Sequence, residues 1–164
     1  MMRPGPRIRR ARPREAVALS GLALRSKAHW GYDAAFMAAC RAELTLTPAD
    51  LARSPVFVCQ SGRRIAGFYR LDIADRHAEI GHFFVAPAHI GRGIGRRLWR
   101  HLVRQAKRRG VARIAIASDP SAAAFYARMG ARRVGSVPSE SVANRRFPAL
   151  VYDLATPYLA GRRR

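Results

Sequence analysis

The densest run of residues able to do chemistry is His82-Phe83-Phe84-Val85-Ala86-Pro87-Ala88-His89-Ile90-Gly91-Arg92-Gly93-Ile94-Gly95-Arg96-Arg97-Leu98. It reads as an apolar strand, a short turn, three alternating glycines and the start of a basic amphipathic helix. Glycines let a backbone approach an anion closely. A helix start adds unpaired N–H groups and the positive end of its dipole. Gly91, Gly93 and Gly95 therefore read as the permissive positions of a phosphate cradle, with the backbone N–H groups of Arg92 to Arg97 as donors. The Arg92, Arg96 and Arg97 side chains either add charge to the cradle or are solvated surface.

A second element lies downstream, Ser118-Asp119-Pro120-Ser121-Ala122-Ala123-Ala124-Phe125-Tyr126-Ala127-Arg128-Met129-Gly130-Ala131. It reads as a short helix that carries a Phe-Tyr pair and stops at a glycine. In this order the two segments resemble the GCN5-related N-acetyltransferase (GNAT) superfamily. The phosphate signature of that family, Gln/Arg-x-x-Gly-x-Gly/Ala, is matched by Ile90-Gly91-Arg92-Gly93-Ile94-Gly95. Its later signature, Asn-x-x-Ala-x-x-(Leu/Phe)-Tyr and then glycine, is matched by Asp119 to Tyr126 and Gly130. Ile90 replaces the usual Gln or Arg, which matters little to a cradle built of backbone. Asp119 replaces the usual Asn, which bears on a local cap or turn contact.

The resemblance implies acetyl-CoA as co-substrate and an amine as acceptor. It places the pyrophosphate on the cradle from Ile90 to Arg97, with Asp119 close by, and pairs the pantetheine amides with backbone groups of Phe83 and Val85. The Val85 N–H becomes the donor to the thioester oxygen. Direct transfer in a ternary complex is expected, because Cys40 and Cys59 lie outside the motif and no other nucleophile stands out.

Amine acetylation needs a base for the ammonium, a donor for the carbonyl oxygen, an acid for the departing thiolate, and both reactants held together. Glu79 is the first candidate base. Acidic residues are scarce here, and one in a mid-sheet strand needs a reason. Its spacing to the glycines also resembles that of the glutamate base in the histone-acetylating branch of the family. The alternative is an edge carboxylate paired with arginine. His82 is the second candidate, since a neutral imidazole suits proton abstraction near pH 7. Regular alternation puts it on the face opposite Glu79, unless a bulge near Phe83-Phe84 re-aims it; the alternative is a packed sheet histidine. Tyr126 takes the acid role by resemblance, against a purely core aromatic. Lys27, Trp30 and Tyr32 lie in the helical turn that, by resemblance, walls the acceptor site, or else they cap the sheet.

A chain of 164 residues is one ordinary domain, and 49% hydrophobic with 25% charged residues is a globular composition. The net charge of +21 is unusual. A coding bias toward arginine explains it, or an attraction to anions does. Nonspecific nucleic-acid binding at low salt is expected, and the arginines are spread along the chain as a bias would spread them. Rival readings are a basic RNA-associated protein, an acetyltransferase acting on an RNA-bound acceptor, and a catalytically silent acyl-CoA sensor. With 10 acidic residues, polyamine acceptors are disfavoured. The two cysteines show no metal spacing and fit a reducing cytoplasm. No metal and no membrane span are expected, and a homodimer is compatible with the chain.

The elements that must position these residues follow from patterning. Residues 1–6 read as a flexible start, 7–157 as the single GNAT-like domain and 158–164 as a basic flexible tail. Helices are expected from Arg14 to Lys27, from an Asp33 cap to Glu43, and from Thr47. A meander of strands follows, Val56–Cys59, Arg64–Ile73 and His77–Val85. Beyond the glycines come a helix to Arg109, a strand at Val111–Ala117, a short helix near Ala122–Met129, and strands Ala131–Val137 and Ala149–Leu154. This is an α/β (α+β) fold with a mixed, mostly antiparallel sheet of about six or seven strands. By resemblance, its central parallel pair splays apart around the cofactor arm.

Overall fold

The computed structural model describes residues 5–154; Met1 to Pro4 and Ala155 to Arg164 are outside the described residues. The expected basic tail 158–164 and most of the expected flexible start 1–6 fall there. Two short polar signals set the first elements. The Glu15 carboxylate accepts the Arg12 N–H at 2.8 Å, closing a single 3₁₀ turn that leads into α1 (Ala16–Ala28). The Asp33 carboxylate accepts the Phe36 N–H at 2.8 Å and starts α2 (Ala34–Leu44). Thr47 and Asp50 cap each other around Pro48 to start α3 (Pro48–Arg53).

The strands are β1 (Arg7–Arg10), β2 (Val56–Ser61), β3 (Arg64–Ala74), β4 (His77–Val85), β5 (Arg113–Ala117), β6 (Arg132–Pro138) and β7 (Arg146–Asp153). They form one open seven-stranded sheet in the order β1-β2-β3-β4-β5-β7-β6. Only β4 and β5 are parallel, and α4 (Ile94–Arg108) is the crossover between them. The short helix α5 (Ala123–Arg128) links β5 to β6.

The expected order of elements is observed, with shifted ends. Val111 is not in a strand: its N–H bonds the Ala106 carbonyl at 3.0 Å and finishes α4 beyond Gly110, whose φ is +72°. β7 begins at Arg146, so the expected Pro138–Pro148 loop is shorter than the sequence suggested.

One core lies on each side of the sheet. Leu98, Leu102 and Ala106 of α4, all fully buried, pack with Tyr69, Leu71, Ile114 and Leu150. Burying one leucine side chain contributes about 1.5–3 kcal/mol. On the other side, Leu19, Leu22 and Ala23 of α1 and Leu44 of α2 pack on Val56, Val58 and Phe68. The two cores hold α4 and the α1–α2 pair against opposite faces of β4, and the site forms at that strand.

Candidate active site

β4 and β5 pair only through His77, Ala78 and Glu79 with Arg113, Ile114 and Ala115. Beyond Glu79 the strands separate. On its other side β4 stays paired with β3 as far as Val85 opposite Gly67. The Ala86 N–H bonds the Ala66 carbonyl at 2.8 Å. Alternation along an antiparallel ladder then turns the backbone groups of Phe83 and Val85 away from β3 and into the gap. The gap opens into a cleft of about 860 Å³ that runs from the glycine turn to the ends of α1 and α2.

At the glycine end, Gly91 and Gly93 have φ of +76° and +80°, and a Cβ at either would meet no other atom. The backbone there faces open space and holds a conformation that strains any L side chain. Gly93 is the N-cap of α4 without a side-chain cap, so Ile94, Gly95 and Arg96 present N–H groups that no helical carbonyl satisfies. The donors at both limits of the expected set are used internally: Arg92 N–H bonds His89, and Arg97 N–H bonds Gly93. At Gly95 the neighbour is close. A Cβ would lie 3.2 Å from the Phe125 ring, so this glycine lets α5 approach. Ile90, Gly91, Gly93, Gly95 and Arg96 line the cleft. An anion carried on an extended amide-bearing arm fits this end.

His82 occupies the middle of the wall. Between Arg70–His82 and Leu71–Ile80 the register slips by one, which leaves Gly81 as the bulged residue. The bulge sits slightly before the expected place. It reverses the alternation: Ala78 and Ile80 face the α4 core before it, and Phe83 and Val85 do so after it. Glu79 and His82 therefore share the α1–α2 face. His82 is 5% exposed, and neither ring nitrogen has a hydrogen-bond partner. Burial, and next the Arg70 charge, push its pKa down to about 4. The Leu44 carbonyl pulls weakly the other way without making a hydrogen bond. Glu79, by contrast, is exposed, is paired in register with Asp72 and Ala115, and does not line the cleft.

Tyr126 projects from α5, 6% exposed, among Phe83, Phe125 and Trp99. It lines the cleft. Burial, helped by the Asp119 charge, raises its pKa, so the phenol stays protonated.

Asp119 lies at the start of the segment after β5 and is already saturated. One oxygen accepts the Ser121 N–H at 2.9 Å, so the turn contact that Asn would make is made by Asp. The other accepts Lys27 Nζ at 2.6 Å and the Tyr32 hydroxyl at 2.8 Å, with Arg145 at 3.5 Å. Arg145 also donates to the Tyr32 hydroxyl at 2.7 Å and lies 4.4 to 5.0 Å from the ring centres of Tyr32, Phe36 and Phe147. Burial works to raise the Asp119 pKa, but the Lys27 bond and the two Ser121 bonds outweigh it and bring it to about 2. Lys27 and Trp30 line the cleft, whereas Tyr32 stands behind as part of this clasp.

Sequence reasoning missed Arg145, Phe147 and Glu43. Arg145 lies in the β6–β7 connection and Phe147 at the start of β7, where no motif marked them. Glu43, at the end of α2, lines the cleft and accepts the Ser141 hydroxyl at 2.9 Å. Its one sequence signal was a carboxylate in the last turn of a helix, where the dipole disfavours it. Among the described residues no cluster of metal-binding side chains occurs, and no helix is long and apolar enough to cross a membrane.

The chain shares this arrangement with solved structures. A GCN5-related N-acetyltransferase from Rhodopseudomonas palustris superposes with a TM-score of 0.75 at 19% identity, covering 94% of this chain and 99% of that one. The PaiA N-acetyltransferase of Thermoplasma acidophilum, solved with coenzyme A, gives 0.77 at 14% identity over 92% and 99%. The ribosomal-protein-S18-alanine N-acetyltransferase of Escherichia coli gives 0.67 at 18% over 94% and 99%. No curated protein matches the chain by sequence. Residues 24–131 match the Acetyltransferase (GNAT) family, a span that takes in the end of α1, all of α2, the bulged strand, the cradle and α5, and the chain belongs to that family.

Proposed function

We propose that this chain is an N-acetyltransferase that moves the acetyl group of acetyl-CoA directly to an amine held at the α1–α2 end of the cleft, with His82 as the base. The observation that carries the assignment of the base is the pair of unpartnered nitrogens on a buried histidine in the cleft wall. A buried polar group without a partner costs stability, and a ligand proton is the natural partner here. Glu79 is the alternative base; its exposed position away from the lining weighs against it.

Bound acetyl-CoA supplies the acyl thioester. N–H groups of Ile94, Gly95 and Arg96 hold its phosphates at the helix start. Backbone groups of Phe83 and Val85 align its arm in the gap between β4 and β5, and the Val85 N–H donates to the carbonyl oxygen as charge gathers there. The amine nitrogen forms its bond to the carbonyl carbon and its proton passes to His82. The carbon–sulfur bond breaks, and the sulfur takes the Tyr126 proton. The low pKa of His82 keeps it an acceptor throughout the neutral range. A cytoplasmic location accords with the two free buried cysteines. Weak contact with nucleic acid at low salt, through the exposed arginines of α4, is a secondary property of this reading.

The test pairs two variants in an acceptor screen that follows CoA release. His82→Gln slows transfer by roughly 10²–10⁴ with acetyl-CoA affinity retained, and Glu79→Gln has a far smaller effect. The opposite ranking assigns the base to Glu79.

A further inference from the structure

We infer that the acceptor end of the cleft takes an amine carrying a second positive charge, and that Glu43 recognises that charge. The inference rests on the N-acetyltransferase reading and names its substrate class. The charges that face the cleft differ from one end to the other. At the cradle end stand the start of α4 and Arg96, both attractive to anions. At the other end stands the finish of α2, the negative end of a helix. Thr45 takes the Arg41 and Ala42 carbonyls, and the Leu44 carbonyl is directed toward His82 without bonding it. The cleft is polarised along its length.

Side chains strengthen the contrast. Asp119 and Glu43 are the two carboxylates that line the cleft. Asp119 is neutralised by Lys27 at 2.6 Å, with Arg145 behind it. Glu43 forms no ion pair among the described residues; its one bond is from the Ser141 hydroxyl. His82 adds a second sign that a ligand belongs here, since its nitrogens are buried and unpartnered in the same wall. Being neutral, it does not repel a cation. Leu44 and Phe84 supply apolar surface, and Trp30, 47% exposed, offers a π face.

The scarcity of acids argued against polycationic acceptors, but position outweighs number. One unpaired carboxylate at the acceptor end of a chain with net charge +21 is the place where a cation gains most. The fitting acceptor has its reactive nitrogen at His82, an apolar spacer, and a second ammonium at Glu43.

Three five-carbon probes test this: cadaverine, pentylamine and aminovalerate, which end in a positive, a neutral and a negative group. With acetyl-CoA saturating, kcat/KM is expected to be about five- to tenfold higher for cadaverine than for pentylamine, after halving for its two equivalent ends, and lowest for aminovalerate. The difference lies in KM. Glu43→Gln brings the cadaverine-to-pentylamine ratio to about one, and Glu43→Lys reverses the order of cadaverine and aminovalerate. A ratio unchanged by Glu43→Gln, or a preference for aminovalerate, overturns the inference while leaving the transferase reading intact. Calorimetric titration of the same probes into the CoA-loaded protein gives a second readout. Ordered affinities without turnover support the charge preference and count against the transferase reading; equal affinities overturn the inference.

Discussion

Replacing Asp119 by Asn tests whether the clasp behind the cleft is held by charge. Asn is the usual residue in the family signature and can keep the turn contact with Ser121, so the substitution is confined to the negative charge and to the second oxygen, which becomes an amide NH2 unable to accept from Lys27 and Tyr32. That carboxylate is 14% exposed, and the Lys27 side chain is 8% exposed. Its pKa is held at about 2 against an ordinary 3.8. A group lowered in this way stabilises the fold fully above its ordinary pKa, and the contribution disappears as pH falls through about 2. At pH 7 the whole effect is present, and the pKa difference corresponds to about 2 kcal/mol. Leaving a buried cation unpaired typically costs about 3–5 kcal/mol. Here Lys27 and Arg145 also rest on the Tyr32, Phe36 and Phe147 rings, which softens the loss. The expected destabilisation is therefore about 2–3 kcal/mol, read from urea unfolding at pH 7. Lys27→Met and the double variant complete a thermodynamic cycle whose coupling should exceed about 1 kcal/mol. A coupling near zero, or an Asn variant as stable as the parent, refutes the claim that the ion pair holds the clasp.

Three more outcomes follow from the same geometry. Gly93→Val abolishes the melting shift that acetyl-CoA produces, about 2.7 kcal/mol at a hundredfold excess over Kd, because φ near +80° at the N-cap excludes a β-branched residue; a well-folded variant with the full shift removes the cradle from the binding site. Tyr126→Phe keeps the ring among Phe83 and Trp99 and loses the hydroxyl, so kcat falls by more than acetyl-CoA affinity does. Equal turnover per folded molecule would reduce Tyr126 to a packing residue. With its folded pKa at about 4, His82 makes the protein lose stability as pH falls from about 6.5 toward 4, on the order of 3 kcal/mol in all, because the buried ring resists protonation; His82→Phe should flatten that part of the pH–stability curve, and an unchanged slope would show that the ring is solvated.

Long, strongly patterned segments were legible in the sequence. The apolar spacing in α4 and the capping residues Asp33 and Thr47 predicted their helices to within a residue or two. The cradle was legible because glycine at positive φ is a chemical requirement, visible as a residue type. Strand ends were less so. Val111 and Ala112 alternate like strand residues, but their N–H groups serve the end of α4 and the Arg76 carbonyl. Periodicity reports which face a side chain takes; it does not report which partner a backbone N–H finds.

The acceptor end was the least legible part, and the reason is topological. Lys27, Glu43, His82, Asp119 and Phe147 come from five separate segments, and none of the spacings between them carries a repeating signal. Only the fold converts them into one wall. The bulge at Gly81 shows how one residue decides the chemistry. Without it His82 would face the α4 core, with Phe83 and Val85 turned toward α1 and α2, and the acceptor end would present no imidazole. Gly81 suits the bulge for a steric reason: a Cβ there would lie 2.5 Å from an Asp72 carboxylate oxygen. Asp72 is fixed in turn by Arg70 at 2.7 Å and by the Ser54 hydroxyl at 2.9 Å. Arg70 is also the charge that, after burial, lowers the His82 pKa. The same arginine thus anchors the carboxylate that crowds the bulge and keeps the re-aimed imidazole unprotonated, so strand register and proton affinity at this site are not independent of each other.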